Sequence, residues 1–150
     1  MEIPAEPPVG YLISYEYLWL SKAQMREDGE SAYPTAIVAA RRDVGPASIA
    51  YALGISHKRP LPDERALEVP RKLKRWLGLD GETSWLYTDQ VNIFVWPGPD
   101  LRPGGWLSNL PSARESCVIA ALPADWFEMV KGHLTQSYHL QKVKTVKRTF

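Results

Sequence analysis

The chain has 150 residues, 45% hydrophobic and 23% charged, which matches one packed domain and excludes a wholly disordered chain. Its 18 Lys plus Arg against 17 Asp plus Glu leave a net charge that selects no partner, and one cysteine, Cys117, excludes an internal disulfide and fits a reducing compartment. No apolar run approaches the ~20 residues that span a bilayer, and the acidic, proline-rich opening Met1 to Pro8 is unlike a secretory or mitochondrial leader; the expected setting is cytoplasmic.

Gly10 to Leu20, rich in Tyr, Trp, Ile and Leu, predicts a first strand in which Tyr15, Tyr17 and Trp19 alternate onto a core face. Residues 21–32 read as a charged loop, with a helical turn open over Lys22 to Asp28. Thr35 to Ala40 and Ser48 to Ile55 are apolar runs of strand length, separated by Arg41 to Pro46, a plausible hairpin turn. Pro60 and Pro62 break the chain before a short strand over Ala66 to Val69. Pro70 suits a first helical position, with Gly78 able to cap the end. The i, i+3, i+4 spacing of Leu73, Trp76 and Leu77 predicts that these three face the core, leaving Arg71, Lys72, Lys74 and Arg75 mostly in water.

Ser84 to Gln90 and Asn92 to Trp96 read as strands, the second stopped by Pro97 and Pro99. Residues 102–116 read as an irregular connection. Ala121 to Leu140 predicts the longest helix, with Pro123, Asp125 and Glu128 suiting its start and Trp126, Val130, Leu134 and Tyr138 on one stripe. Residues 141–150 read as a basic tail. Short strands, frequent turns and two helices predict a single α+β domain over 1–150, its core at about 10–140. The pairing expected is antiparallel, in a small barrel or half-open sheet with a short basic helix and a C-terminal helix, and without parallel βαβ winding.

Charge is unevenly distributed. Residues 1–30 sum to −4, residues 58–75 to +4 and residues 129–150 to +5. The two basic segments are either solvated faces or a patch that attracts phosphates. His57, His133 and His139 have no metal-ligand spacing with one another or with Cys117, so neither a metal nor a cofactor is expected. Gly98 to Gly105 lacks the Gly-Lys-Ser/Thr ending of a P-loop, and Cys117, in an apolar run, reads as a core thiol. One stretch carries chemistry: Gly54-Ile55-Ser56-His57-Lys58-Arg59-Pro60 puts a hydroxyl, an imidazole and two cations at a strand end. RNA cleavage needs a base for the 2′-hydroxyl, an acid for the leaving 5′-oxygen and a cation for the phosphorane, and these residue types can supply all three. The same string also makes an ordinary polar loop.

Gly10-Tyr11-Leu12-Ile13-Ser14-Tyr15-Glu16-Tyr17-Leu18-Trp19, Tyr33-Pro34-Thr35-Ala36-Ile37-Val38 and Ile55-Ser56-His57 follow the order found in the PemK/MazF family of type II toxins. Leu77-Gly78-Leu79-Asp80, Ser84-Trp85, Asn92-Ile93-Phe94-Val95-Trp96 and Pro97-Gly98-Pro99-Asp100-Leu101-Arg102 resemble one branch of it. The resemblance covers roughly residues 10–102. It implies an SH3-like barrel, a homodimer, metal-independent cleavage of single-stranded RNA, and neutralisation by a small acidic antitoxin. Ser56 matches a family catalytic position, whereas Tyr33 stands where the family has an Arg before Pro34. A phenol carries no charge to hold a phosphate. Another cation (Lys58, Arg59, Arg41 or Arg42) then fills in, with Arg71, Lys72, Lys74 and Arg75 tracking the RNA, or the chain is a non-catalytic barrel that binds protein or nucleic acid.

Overall fold

A computed structural model describes residues 1–20, 32–42, 45 and 47–148; all but Ala32 of the loop expected over 21–32, and most of the turn after Arg42, lie outside them. Among the described residues, eight strands and two α-helices follow in the order β1 (Tyr11–Tyr15), β2 (Tyr33–Arg42), β3 (Ser48–Ser56), β4 (Ala66–Glu68), α1 (Arg71–Trp76), β5 (Trp85–Tyr87), β6 (Gln90–Trp96), β7 (Val118–Ala121), α2 (Ala124–His139) and β8 (Lys144–Lys147). This is an α+β fold dominated by antiparallel pairs. The ladder runs β7-β1-β2-β3, and β3 divides: residues 48–52 pair with β6 and residues 55–56 with β5, which carries β4. The ladder stays open at β4, β7 and β8 among the described residues.

Strands β2 and β3 read as near-continuous apolar runs because both faces of the sheet are covered. On one face Leu12, Ala36, Leu53 and Ile55 pack with Leu73 of α1, with Leu77 just beyond its end, and with Trp126 and Val130 of α2. On the other, Ile13, Ile37, Ala50 and Ala52 pack with an aromatic cluster that includes Tyr15, Tyr17, Trp19, Tyr33, Tyr87, Phe94 and Trp96. The predicted core face of Tyr15, Tyr17 and Trp19 is buried as expected. The first strand nevertheless ends at Tyr15. Beyond it, Asn92 and Gln90 side chains satisfy the backbone of Leu18 and Leu20 in place of a ladder.

Four other expectations change. The strand predicted over Ser84 to Gln90 is split by a turn, so that Gln90 opens β6. In the expected basic tail, Lys144–Lys147 pairs in parallel with β6, the one parallel pair among the described strands. Tyr138 is exposed and Ser137 is buried in its place, because a 3.6-residue period drifts off a strict four-residue spacing. In α1, Trp76 is exposed and Lys74 is buried. The helix has only six residues, and three acceptors reward Lys74 for turning inward.

Candidate functional site

The C-terminal end of β3, the start of β2 and the inner side of α1 enclose a cavity of about 210 Å³. Its wall includes Tyr33, Ser56, His57, Lys74, Asp80 and Ser84. Antiparallel pairing of Thr35 with Gly54 brings Tyr33 beside Ser56. Gly54 is required for this packing, because a Cβ there would lie 2.8 Å from the Trp19 ring and 2.9 Å from Tyr17. Gly78, with φ +71°, ends α1 in the left-handed conformation that glycine tolerates. The chain then returns so that Asp80, Glu82 and Ser84 face Lys74 and His57.

Lys74 organises the site. Its ammonium donates to Asp80 Oδ1 at 2.6 Å, to Ser84 Oγ at 2.7 Å and to the Glu82 carbonyl, so all three protons are engaged. The side chain is 6% exposed against 52% for Asp80. Asp80 Oδ2 lies 2.9 Å from His57 Nε2, and the Glu82 N–H donates to Asp80 Oδ1 at 3.0 Å. Partial burial works against the Asp80 charge, but the Lys74 hydrogen bond, the Glu82 amide and His57 together hold its carboxyl below the usual range. An ionised Asp80 fixes the imidazole as an Nε2–H donor and leaves Nδ1 as the free base, with Glu82 Oε2 at 3.8 Å. Ser56 Oγ, which is buried, accepts the Lys58 N–H at 3.1 Å and keeps its own proton to donate.

His57, Asp80 and Glu82 also offer three ligand atoms within 4.8 Å of one another. The two ring nitrogens face different carboxylates. That arrangement suits a hydrogen-bonded imidazole better than a chelate, which takes one nitrogen, and Lys74 already supplies positive charge at Asp80.

The predicted cations do not converge as expected. Arg41 and Arg42 sit at the far end of β2, eight and nine residues from Tyr33, about 26–30 Å along an extended strand. Arg41 Nε donates to Tyr51 Oη at 2.6 Å and Arg42 pairs with Glu6 at 3.1 Å. Lys58 and Arg59 follow Ser56 and His57 but are absent from the cavity wall, and Arg71, Lys72 and Arg75 lie on the exposed side of α1. Of the basic residues singled out from the sequence, Lys74 alone is part of this wall. The sequence carried Asp80 and Ser84 within recognisable strings, but their role depends on Lys74 pointing inward. Trp96, buried, donates its Nε1–H to the Pro4 carbonyl at 2.7 Å and serves packing.

No family model and no curated protein matches the chain. Among solved structures it is similar to one described as the crystal structure of MazE-MazF (Form-II) from Deinococcus radiodurans, with 16% identity, a TM-score of 0.47, and coverage of 92% of this chain and 97% of that chain.

Proposed function

We propose that the protein is a toxin of the PemK/MazF kind that cuts single-stranded RNA with its own side chains, in the cavity beneath α1. The observation that supports this most is the union of His57, Asp80 and Lys74 in one hydrogen-bonded chain beside the Ser56 and Tyr33 side chains. In the reaction, a bond forms between the 2′-oxygen and phosphorus while the bond from phosphorus to the 5′-oxygen breaks. His57 Nδ1 takes the 2′ proton, and Asp80 and Glu82 stabilise the imidazolium that results. Water at the cavity mouth returns a proton to the departing 5′-oxygen. Lys74 is the fixed cation facing the phosphorane, in place of the guanidinium that Tyr33 lacks, and the Ser56 and Tyr33 hydroxyls bind non-bridging oxygens.

The family resemblance extends the proposal to an SH3-like fold, a cytoplasmic homodimer, and a small acidic antitoxin as partner. One observation favours the non-catalytic alternative: every Lys74 proton is engaged, so a phosphate must share or displace Asp80. The two readings separate in one experiment. Purified protein is incubated with a mixed single-stranded RNA pool in chelator; cutting that is lost in His57→Ala and Ser56→Ala, with circular dichroism unchanged, supports the nuclease. An intact pool at high protein excess leaves the docking module.

A further inference from the structure

Arg71 and Arg75 lie four residues apart on α1 and so share one helix face. Both line a second cavity, of about 240 Å³, whose wall also includes Lys74, Leu79 and Asp80. Those three residues belong to the first cavity as well, so the two are neighbours across the Lys74–Asp80 pair. Other arginine side chains are tied down: Arg42 by Glu6, Arg65 by Ser137 and Gln136, Arg102 by Glu16 and Arg148 by Asp100, while Arg59 and Arg114 line neither cavity. The Arg75 carbonyl accepts the Gly78 N–H at 3.1 Å, but neither the Arg71 nor the Arg75 guanidinium is held by a side-chain hydrogen bond or ion pair among the described residues. Glu68 and Glu82 line the second cavity too, so its wall is not a bulk positive field. What sets it apart is a pair of guanidinium forks, one helical turn apart, lining the same cavity; their planar donors match phosphate oxygens bidentately.

We infer that this second cavity is a phosphate subsite, holding the phosphodiester one nucleotide away from the scissile one in a single-stranded RNA. The inference rests on the RNA reading of the first cavity and adds to it a stated division of labour. Lys74 serves the reacting phosphate, Arg71 and Arg75 grip its neighbour, and Lys72, on the outer face of the same helix, does neither.

The test uses the whole protein and two uncleavable 2′-O-methyl probes, a hexanucleotide and a dinucleotide with a single phosphodiester, titrated over a range of KCl concentrations. Arg71→Gln and Arg75→Gln should each weaken hexanucleotide binding by about 5–10-fold and reduce the salt slope by ~0.7, the value for one lost phosphate contact on a single strand. Dinucleotide binding should be unchanged, and Lys72→Gln should stay within about twofold of the parent for both probes. Equal losses in Lys72→Gln and Arg75→Gln would overturn the subsite in favour of a general charge effect. Displacement of the hexanucleotide by a deca-glutamate peptide, with the same dependence on Arg71 and Arg75, would instead make the cavity a seat for an acidic protein segment. Arginine-dependent binding without cutting of the ribonucleotide hexamer refutes the nuclease and spares the subsite; cutting that ignores both arginines does the reverse.

Discussion

Replacing Lys74 by Met removes the ammonium at the centre of the site and keeps most of its aliphatic stem. Three acceptors lose a donor, at unequal cost. Asp80 is 52% exposed, so water takes over its oxygen. The Glu82 carbonyl keeps a partner in Ser84 Oγ, already 3.3 Å away. What remains is one poorly satisfied, largely buried set of neutral groups, worth about 1–2 kcal/mol. For a chain of this size that lowers Tm by about 2–8 °C in differential scanning calorimetry. Cleavage should fall much further, by about 10²–10³-fold, the usual loss when a fixed group facing developing charge is removed. Ser84→Ala is the matched control: it costs about 1 kcal/mol through a lost hydrogen bond, leaves the ammonium in place and keeps cleavage within a few-fold of the parent. Lys74→Met protein that is folded and cuts at the parental rate would refute the assignment of Lys74 as the phosphate's cation.

Gly54→Ala should destabilise the fold by about 1–3 kcal/mol in urea unfolding, because the added methyl meets the Trp19 and Tyr17 rings in an overpacked core. His133 accepts at Nε2 from Arg65 at 3.3 Å and engages Thr88 Oγ1 at 2.7 Å through Nδ1; burial first, and then Arg65, hold it below its ordinary value of 6.5. Its contribution to stability is therefore complete above pH 6.5 and drains away as pH falls through the folded-state value, since the unfolded chain binds the proton more readily. A His133→Gln variant should accordingly show a shallower loss of Tm on acidification than the parent, and an identical pH profile would contradict this. Burial pushes the Cys117 thiol up to about 11, so iodoacetamide should label native protein at neutral pH far more slowly than urea-unfolded protein, by mass spectrometry.

Much of the fold was legible because its cause is local. The apolar runs of β2 and β3, the Pro70 entry and Gly78 exit of α1, and the Pro123 start of α2 all coincide with elements. The end of β1 was not legible, because Gln90 and Asn92, 70 and 74 residues away from their partners in sequence, satisfy the backbone of Leu20 and Leu18. Likewise Lys144–Lys147 shows no strand signal stronger than its charge, and it pairs only because β6 offers an unpaired edge. At the first cavity, Ser56, His57 and Tyr33 are candidates legible from the strand end and the family string. Lys74 was assigned to solvent by the helical pattern, which rates a lysine beside Leu73 as wet. Its burial follows from acceptors on the segment after Gly78, and no periodicity encodes those.

Everything proposed for the first cavity requires the 2′-hydroxyl as the attacking group and His57 as its base. The direct measurement is cleavage, in chelator, of one oligoribonucleotide and of the same molecule carrying a single 2′-deoxy sugar at the scissile nucleotide. The expected outcome is that the first is cut to a 2′,3′-cyclic phosphate and a 5′-hydroxyl, that the second is left whole at that position, and that His57→Ala cuts neither. Cutting of the deoxy-substituted molecule, or His57→Ala protein as active as the parent, would contradict it.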